Sequence, residues 1–506
     1  MRLPPPLGQG VYRYKQRWQR FWGLVGCSVI IVVGLLGFFV LPAAPARTPP
    51  PSQTPKQVDQ LSFPPLPDLK LPAYERYTLP NRLVVYLMED RKLPLVSGTA
   101  IFRAGERWEP TDKVGLAHLT GTTMRLGGTQ HHSPRELNTL LEQRAAAIET
   151  RINLSAGSAN FSALSKDLDT VFELFADVIK APAFDPPQVE LAKNQLRGAI
   201  ARRNDDPEDI ASREFRKLLY GADSPYGRTV EYGTLDAIQR QDLLDFHQRY
   251  IRPEQIILGI VGDFDTETIK PLIAKQFADW QGQGNGPRLT PPQVDQVTHR
   301  GVFIADLPHL TQSNVLLGQI GGEVRDPDYP ALSVMNGVLG GLGGRLFNNI
   351  RSKQGLAYSV SGQWQAAYDY PGYFIAGGPT RTETTVPFIQ SLFGEFERLR
   401  QEPITPEELA YAKDSLLNSF VFNFAQPGQT LSRLMTYEYY GYPADFIFTY
   451  QRQVTATTVE DVQRVAQKHL HPDKMFTVVV GHGDRLKAEL SALEQPITPL
   501  DIKISP

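Results

Sequence analysis

The sequence predicts an α+β protein of two homologous lobes, each an antiparallel sheet with helices, carried behind an N-terminal transmembrane helix. Three observations predict this. In the 506-residue chain Asp242, Pro253 and Gly262 return as Asp461, Pro472 and Gly481, each 219 residues on. A second match, Pro186, Ala192, Lys193 and Leu196 with Pro406, Ala412, Lys413 and Leu416, stands at an offset of 220. A period that long is too large for a solenoid repeat and marks duplication of a domain. Within each copy, strand-like runs precede helical ones, an order that segregates sheet from helices. Finally, residues 21–41, Phe21 to Leu41, form an uncharged, mostly apolar run long enough to cross a bilayer.

Taken in order, residues 1–20 are basic, with Arg2, Arg13, Lys15, Arg17 and Arg20 ahead of the apolar run. That asymmetry keeps the N-terminus cytoplasmic and places the globular part on the exported side, in the periplasm or its equivalent. Ala44-Pro45-Ala46 is a possible signal-cleavage site. The run exceeds a signal h-region of about 7–15 residues, which favours an uncleaved anchor. Leu24-Val25-Gly26-Cys27 mimics a lipoprotein acylation box, but the apolar run continues past Cys27 to Leu41. Cys27 is the sole cysteine, so there is no internal disulfide framework. Residues 42–72 are proline-rich and read as an extended, semi-rigid tether.

The first lobe occupies residues 73–280. Strand-like Arg82 to Met88 and Leu95 to Phe102 open it, followed by a helix over 114–127 and another whose cap, Ser133, stands three residues ahead of Glu136. Strand-like Ile152–Ala156 and Ala159–Leu164 come next, then helices over 167–180, 186–205 and 207–220. Asp206-Pro207 supplies a cap followed by proline at the first helical position. Ile256 to Val261 and Met475 to Val480 are apolar runs at equivalent places in the two copies and read as buried strands. A Gly/Pro-rich linker over 281–296 leads to the second lobe, 297–490, and a tail, 491–506. A net charge of −2 gives no argument for nucleic acid or an acidic substrate.

The chemistry-bearing stretch is Gly115-Leu116-Ala117-His118-Leu119-Thr120-Gly121-Thr122-Thr123-Met124. An H-x-x-E-H run on a helix puts two imidazoles on one face to hold zinc, and the Glu between them activates the metal-bound water. Here His118 keeps the first position, but Gly121 stands at the base and Thr122 at the second ligand. Glycine offers no donor and a threonine hydroxyl is a poor one, so one imidazole does not make a catalytic zinc site. His131-His132 lie between Gly127-Gly128 and Ser133-Pro134 and read as a surface loop.

The frame around these residues resembles the pitrilysin (insulinase) family of zinc metallopeptidases, the inverzincins, especially the bacterial branch like mitochondrial processing peptidase. The resemblance implies a third ligand, a Glu, 77 residues past the second; that position is Ala199, in a stretch running to Asp205-Asp206-Pro207 that looks like the family's own. In the second copy, Arg345 to Val360 resembles the family's C-terminal signature, whose Arg and Tyr match Arg351 and Tyr358. In related enzymes that pair binds the substrate backbone or the intermediate opposite the zinc. A guanidinium and a phenol donate hydrogen bonds to a carbonyl oxygen as it gains charge. Gly337, Gly340-Gly341 and Gly343-Gly344 lack the following Lys-Ser/Thr of a phosphate loop; close backbone approach and a hinge between lobes account for them.

The resemblance implies two lobes facing across a cavity. It also implies a division of work: a non-catalytic, membrane-anchored subunit with no metal or cofactor of its own, paired with a zinc-bearing sister subunit. The cavity would take an extended peptide, added to a sheet edge near Gly157–Leu164. The alternative is a scaffold or binding protein with no proteolytic role, like the relatives that serve as core subunits of respiratory complexes. An active peptidase by another route lacks a base at the usual position.

Overall fold

Among the described residues twelve strands form two six-stranded sheets of matching topology. The computed structural model describes residues 71–504 apart from 283–285, 288, 295–298 and 425. The candidate anchor at 21–41, and the tether as far as residue 70, lie outside the described residues. Among the described residues no helix is long and apolar enough to cross a membrane.

The first lobe runs β1 (Glu75–Thr78), β2 (Val84–Glu89), β3 (Leu95–Phe102), α1 (Leu116–Leu126), α2 (Pro134–Glu142), β4 (Ala147–Ile152), β5 (Gly157–Leu164), α3 (Leu168–Lys180), α4 (Pro186–Arg202), α5 (Pro207–Tyr220), α6 (Tyr232–Ala237), α7 (Arg240–Tyr250), β6 (Ile256–Gly262) and α8 (Thr266–Phe277). The second runs β7 (Gly301–Asp306), β8 (Gln312–Ile320), α9 (Tyr329–Leu339), a wide helical turn (Leu346–Lys353), β9 (Ser361–Gln365), β10 (Tyr373–Arg381), α10 (Thr385–Gln401), α11 (Pro406–Val421), α12 (Pro427–Tyr440), α13 (Phe446–Ala456), α14 (Val459–His469), β11 (Phe476–Gly481), α15 (Gly483–Leu490) and β12 (Ile497–Pro499). The sheet orders are β1-β2-β6-β3-β5-β4 and β12-β7-β11-β8-β10-β9. The last five strands of each sheet correspond one to one, and the tail strand β12 stands where β1 does.

Local chemistry sets several boundaries. Ser133 and Glu136 form a reciprocal capping box at the start of α2, and Asp206 accepts from the Glu208 amide ahead of Pro207 at the start of α5. Three expectations need correction. The sheets are mixed rather than antiparallel: β6 runs parallel to β2, and β11 and β12 run parallel to β7. The chain returns to mid-sheet through a helical excursion, which a parallel pairing requires. The strand placed at Ile152–Ala156 is β4, at Ala147–Ile152; Asn153 and Ala156 instead close the turn into β5 through a backbone bond of 2.9 Å. Gly157–Leu164 is not an edge, because β5 lies hydrogen-bonded between β3 and β4. The free edge is β4.

The lobes interlock by exchanging helices. Phe215 on α5 packs against Phe476 and Tyr373 of the second sheet, at ring separations of 5.0 and 5.9 Å. Reciprocally, Leu431, Leu434, Met435 and Tyr439 on α12 pack against Tyr86, Met88 and Ile257 of the first. Pro207 and Pro427, which open these helices, stand at the repeat offset. Each central strand is thus covered on one face by its own lobe's helices and on the other by its neighbour's, so both read as unbroken apolar runs. Arg107 crosses between lobes in a buried two-bond pair with Asp369, at 3.0 and 2.7 Å. Arg103 and Arg107 of the first lobe and Glu323 and Asp369 of the second line a crevice of about 470 Å³.

Candidate functional site

Helix α1 carries the degenerate motif, and its start is built with care. Gly115 sits at φ +105°, a conformation that favours glycine. The buried carboxylate of Glu109 accepts from the amides of Gly115 (3.1 Å) and Ala117 (2.8 Å), occupying donors that the first turn leaves open. Burial pushes the Glu109 carboxyl up to about 7 against the pull of those amides and of Arg228. His118 projects into a crevice of about 240 Å³ that Glu106, Glu109, Arg216, Arg228 and Leu196 also line. One side of its ring is open to solvent, yet the surrounding protein desolvates it enough to lower its pKa. The imidazole is therefore neutral near pH 7.

The base position is closed as well as empty of a donor. A Cβ on Gly121 would overlap the backbone of Arg151 and Ile152, standing 2.7 Å from the Arg151 carbonyl carbon. Strand β4 lies flat against the helix there, held by the Thr150 hydroxyl donating to the Gly121 carbonyl at 2.6 Å. Thr122 is half-buried on the same helix, while Ala199 is exposed on α4, which packs on α1. These four positions supply one imidazole and no base. Zinc does not fit them.

Arg351 and Tyr358 come together at the other end of the signature. Arg351 lies in the wide turn Leu346–Lys353, and Gly355 at φ +63° ends the helix and reverses the chain. The Thr380 hydroxyl then holds the Leu356 carbonyl at 2.6 Å. The Arg351 guanidinium stacks 4.4 Å from the Phe347 ring centroid and 5.6 Å from that of Tyr358, within cation–π reach. Tyr358 is 84% exposed and Arg351 is half-buried.

Two other groups are accounted for. His131, in the bend ahead of α2, bonds Asp177 at 2.6 Å. Asp326, Asp328 and His469 converge among the described residues as metal donors would, but Arg464 (2.6 Å), Lys468 (2.6 Å) and His469 (2.8 Å) already occupy the Asp328 oxygens. Sequence reasoning missed Glu106, Glu109, Arg216 and Arg228. The near neighbours Glu106 and Glu109, just ahead of the motif, were the available signal; the two arginines reach the crevice only through folding.

Two family models match: residues 85–229 match the one described as Insulinase (Peptidase family M16), and residues 237–416 the one described as Peptidase M16 inactive domain. Similar proteins include an uncharacterized zinc protease of Mycobacterium tuberculosis, 29% identical over 64% of this chain and 74% of that one. The non-peptidase homolog YmxG of Helicobacter pylori is 24% identical over 79% of this chain and 92% of its own. A peptidase M16 inactive domain from Pseudomonas fluorescens has a similar solved structure, with a TM-score of 0.73, 25% identity, and coverage of 81% of this chain and 98% of that one. With both halves matched and the fold shared, the chain belongs to the insulinase (M16) peptidase family.

Proposed function

We propose that this chain is a membrane-anchored, non-catalytic subunit that holds an extended peptide for a zinc-bearing sister chain. One contrast carries the reading: a strand backbone shuts the base position at Gly121, while Arg351 stacks on an exposed Tyr358. The α1 positions have lost the group that activates water, while this pair is still able to hold a peptide carbonyl. The free edge β4, against α1, offers the backbone row to which a peptide strand adds, in place of β5. Strand addition is read mostly by backbone groups, so sequence preference is loose. The run at 21–41 would hold this assembly on the exported side of a membrane.

Purified alone, the full chain should carry no stoichiometric zinc by elemental analysis and cleave no peptide. Co-expressed with a sister chain bearing intact H-x-x-E-H, it should support cleavage. Arg351→Ala or Tyr358→Ala should then lower kcat/KM of the pair about tenfold or more, the loss of about 1.4 kcal/mol of transition-state stabilisation. If neither substitution changes a working pair, the scaffold reading replaces this one.

A further inference from the structure

We propose that the crevice between the end of α5 and the second sheet binds a small monocarboxylate with an aromatic or branched apolar body. It lies apart from both the α1 crevice and the Arg351–Tyr358 surface, and the inference is independent of any peptide-holding role. The crevice has a volume of about 210 Å³. Its apolar walls come from Leu219 at the end of α5, Trp364 on β9 and Phe476 at the start of β11, and His299, His471 and Lys474 line it as well.

The charge pattern selects the sign of the ligand. Among the described residues no carboxylate lines the crevice. Lys468 and His469 also line it, but both are already bonded to Asp328. The Gln319 amide is committed too, donating to the His469 carbonyl at 2.8 Å and accepting from the His471 amide at 2.7 Å. Lys474 is exposed, and its ammonium makes no hydrogen bond or ion pair with any described residue. Burial, and next the charge of Lys474, hold the His471 imidazole below the ordinary histidine range, so it adds no second charge. Among the described lining residues Lys474 thus offers an ammonium with no partner, to which a single carboxylate can bind. A phosphate, with nearly two charges and three acceptor oxygens, favours an arginine fork or several cations, and among the described residues no arginine lines this crevice.

The volume selects the size. A cavity of about 150 Å³ accommodates benzene, so this one has room for a phenyl ring and a short acid chain. The ring would lie among Leu219, Trp364 and Phe476, with the carboxylate at Lys474. The apolar body gains from leaving water against these three walls, and the anion keeps a charge-assisted hydrogen bond.

Calorimetric titration of the full chain with 3-phenylpropionate tests this. Saturable one-site binding is expected. The neutral analogue 3-phenylpropionamide, and the acid titrated into Lys474→Ala, should each bind at least about tenfold more weakly, while Lys474→Arg should stay within about threefold of the parent. Because Lys474 is exposed, both variants should fold, which thermal unfolding checks. Inorganic phosphate should not displace the acid. The proposal is overturned by absence of saturable binding up to roughly 10 mM, by equal binding of acid and amide, by unchanged binding to Lys474→Ala, or by displacement with phosphate.

Discussion

His247, on α7, is enclosed within the first lobe, where its Nε2–H donates to the Ile179 carbonyl of α3 at 2.8 Å and the ring meets Phe184 edge-on. Burial lowers its pKa from 6.5 to about 4. A depressed histidine contributes stability that is fully present above the unfolded pKa and is lost as pH falls through the folded one. The window is therefore pH 6.5 down to about 4, and the contribution at stake is about 3 kcal/mol. Glu109 has the opposite sign: its carboxyl, raised to about 7, contributes stability present below the ordinary glutamate range and lost as pH rises through 7. The two oppose each other, so the test is a difference. Denaturant unfolding of the parent and His247→Gln between pH 7 and pH 4 should show the parent's advantage shrinking as pH falls; a constant advantage would refute the buried neutral imidazole.

At the scale of elements, α1 and β4 define what this chain has become. Gly121 costs about 1 kcal/mol of helix propensity relative to alanine, yet the close β4 backbone leaves no room for a methyl group. Backbone yields less readily than a flexible side chain, and overpacking costs about 1–3 kcal/mol. Gly121→Ala should therefore destabilise by roughly 1–2 kcal/mol in spite of its better propensity. Gly198, inside α4, is the control: an added Cβ would meet only the Arg202 guanidinium at 3.4 Å, so Gly198→Ala should stabilise. Equal effects in denaturant unfolding would mean that β4 is not pressed against α1. Restoring a catalytic Glu at 121 thus requires moving a strand as well as replacing side chains.

For the whole molecule, the exchanged helices join two lobes that share a topology. Phe215 of the first lobe completes the second lobe's core, and Met435, 220 residues on, does the reverse. Truncating a fully buried phenylalanine costs about 3–5 kcal/mol. If the exchange is structural, Phe215→Ala and Met435→Ala should each lower the unfolding midpoint of both lobes together, in one transition. Two separated transitions, read by calorimetry, would show that each lobe is stable without its neighbour's helix. The tail takes part as well: β12 extends the second sheet, and the Ile502 carbonyl accepts from Asn204 of the first lobe at 2.6 Å.

By itself, the sequence determined whatever depends on neighbours along the chain. The 219-residue repeat marked the duplication, the caps at Ser133 and Asp206 marked helix starts, and the residue types at 118, 121, 122 and 199 counted the missing donors. Tertiary structure alone decided the parallel pairing of β6 and β11, the free edge at β4 instead of β5, and the exchange of α5 and α12. It also decided that Gly121 is an occupied contact rather than a vacancy, and that Arg351 and Tyr358 meet. The physical reason is the range of the interactions: capping, periodicity and ligand count act within a few turns or through residue identity. The parallel pairings and the helix exchange join residues more than a hundred positions apart, and the packing of β4 on Gly121 joins separate elements, proximities that no local pattern encodes.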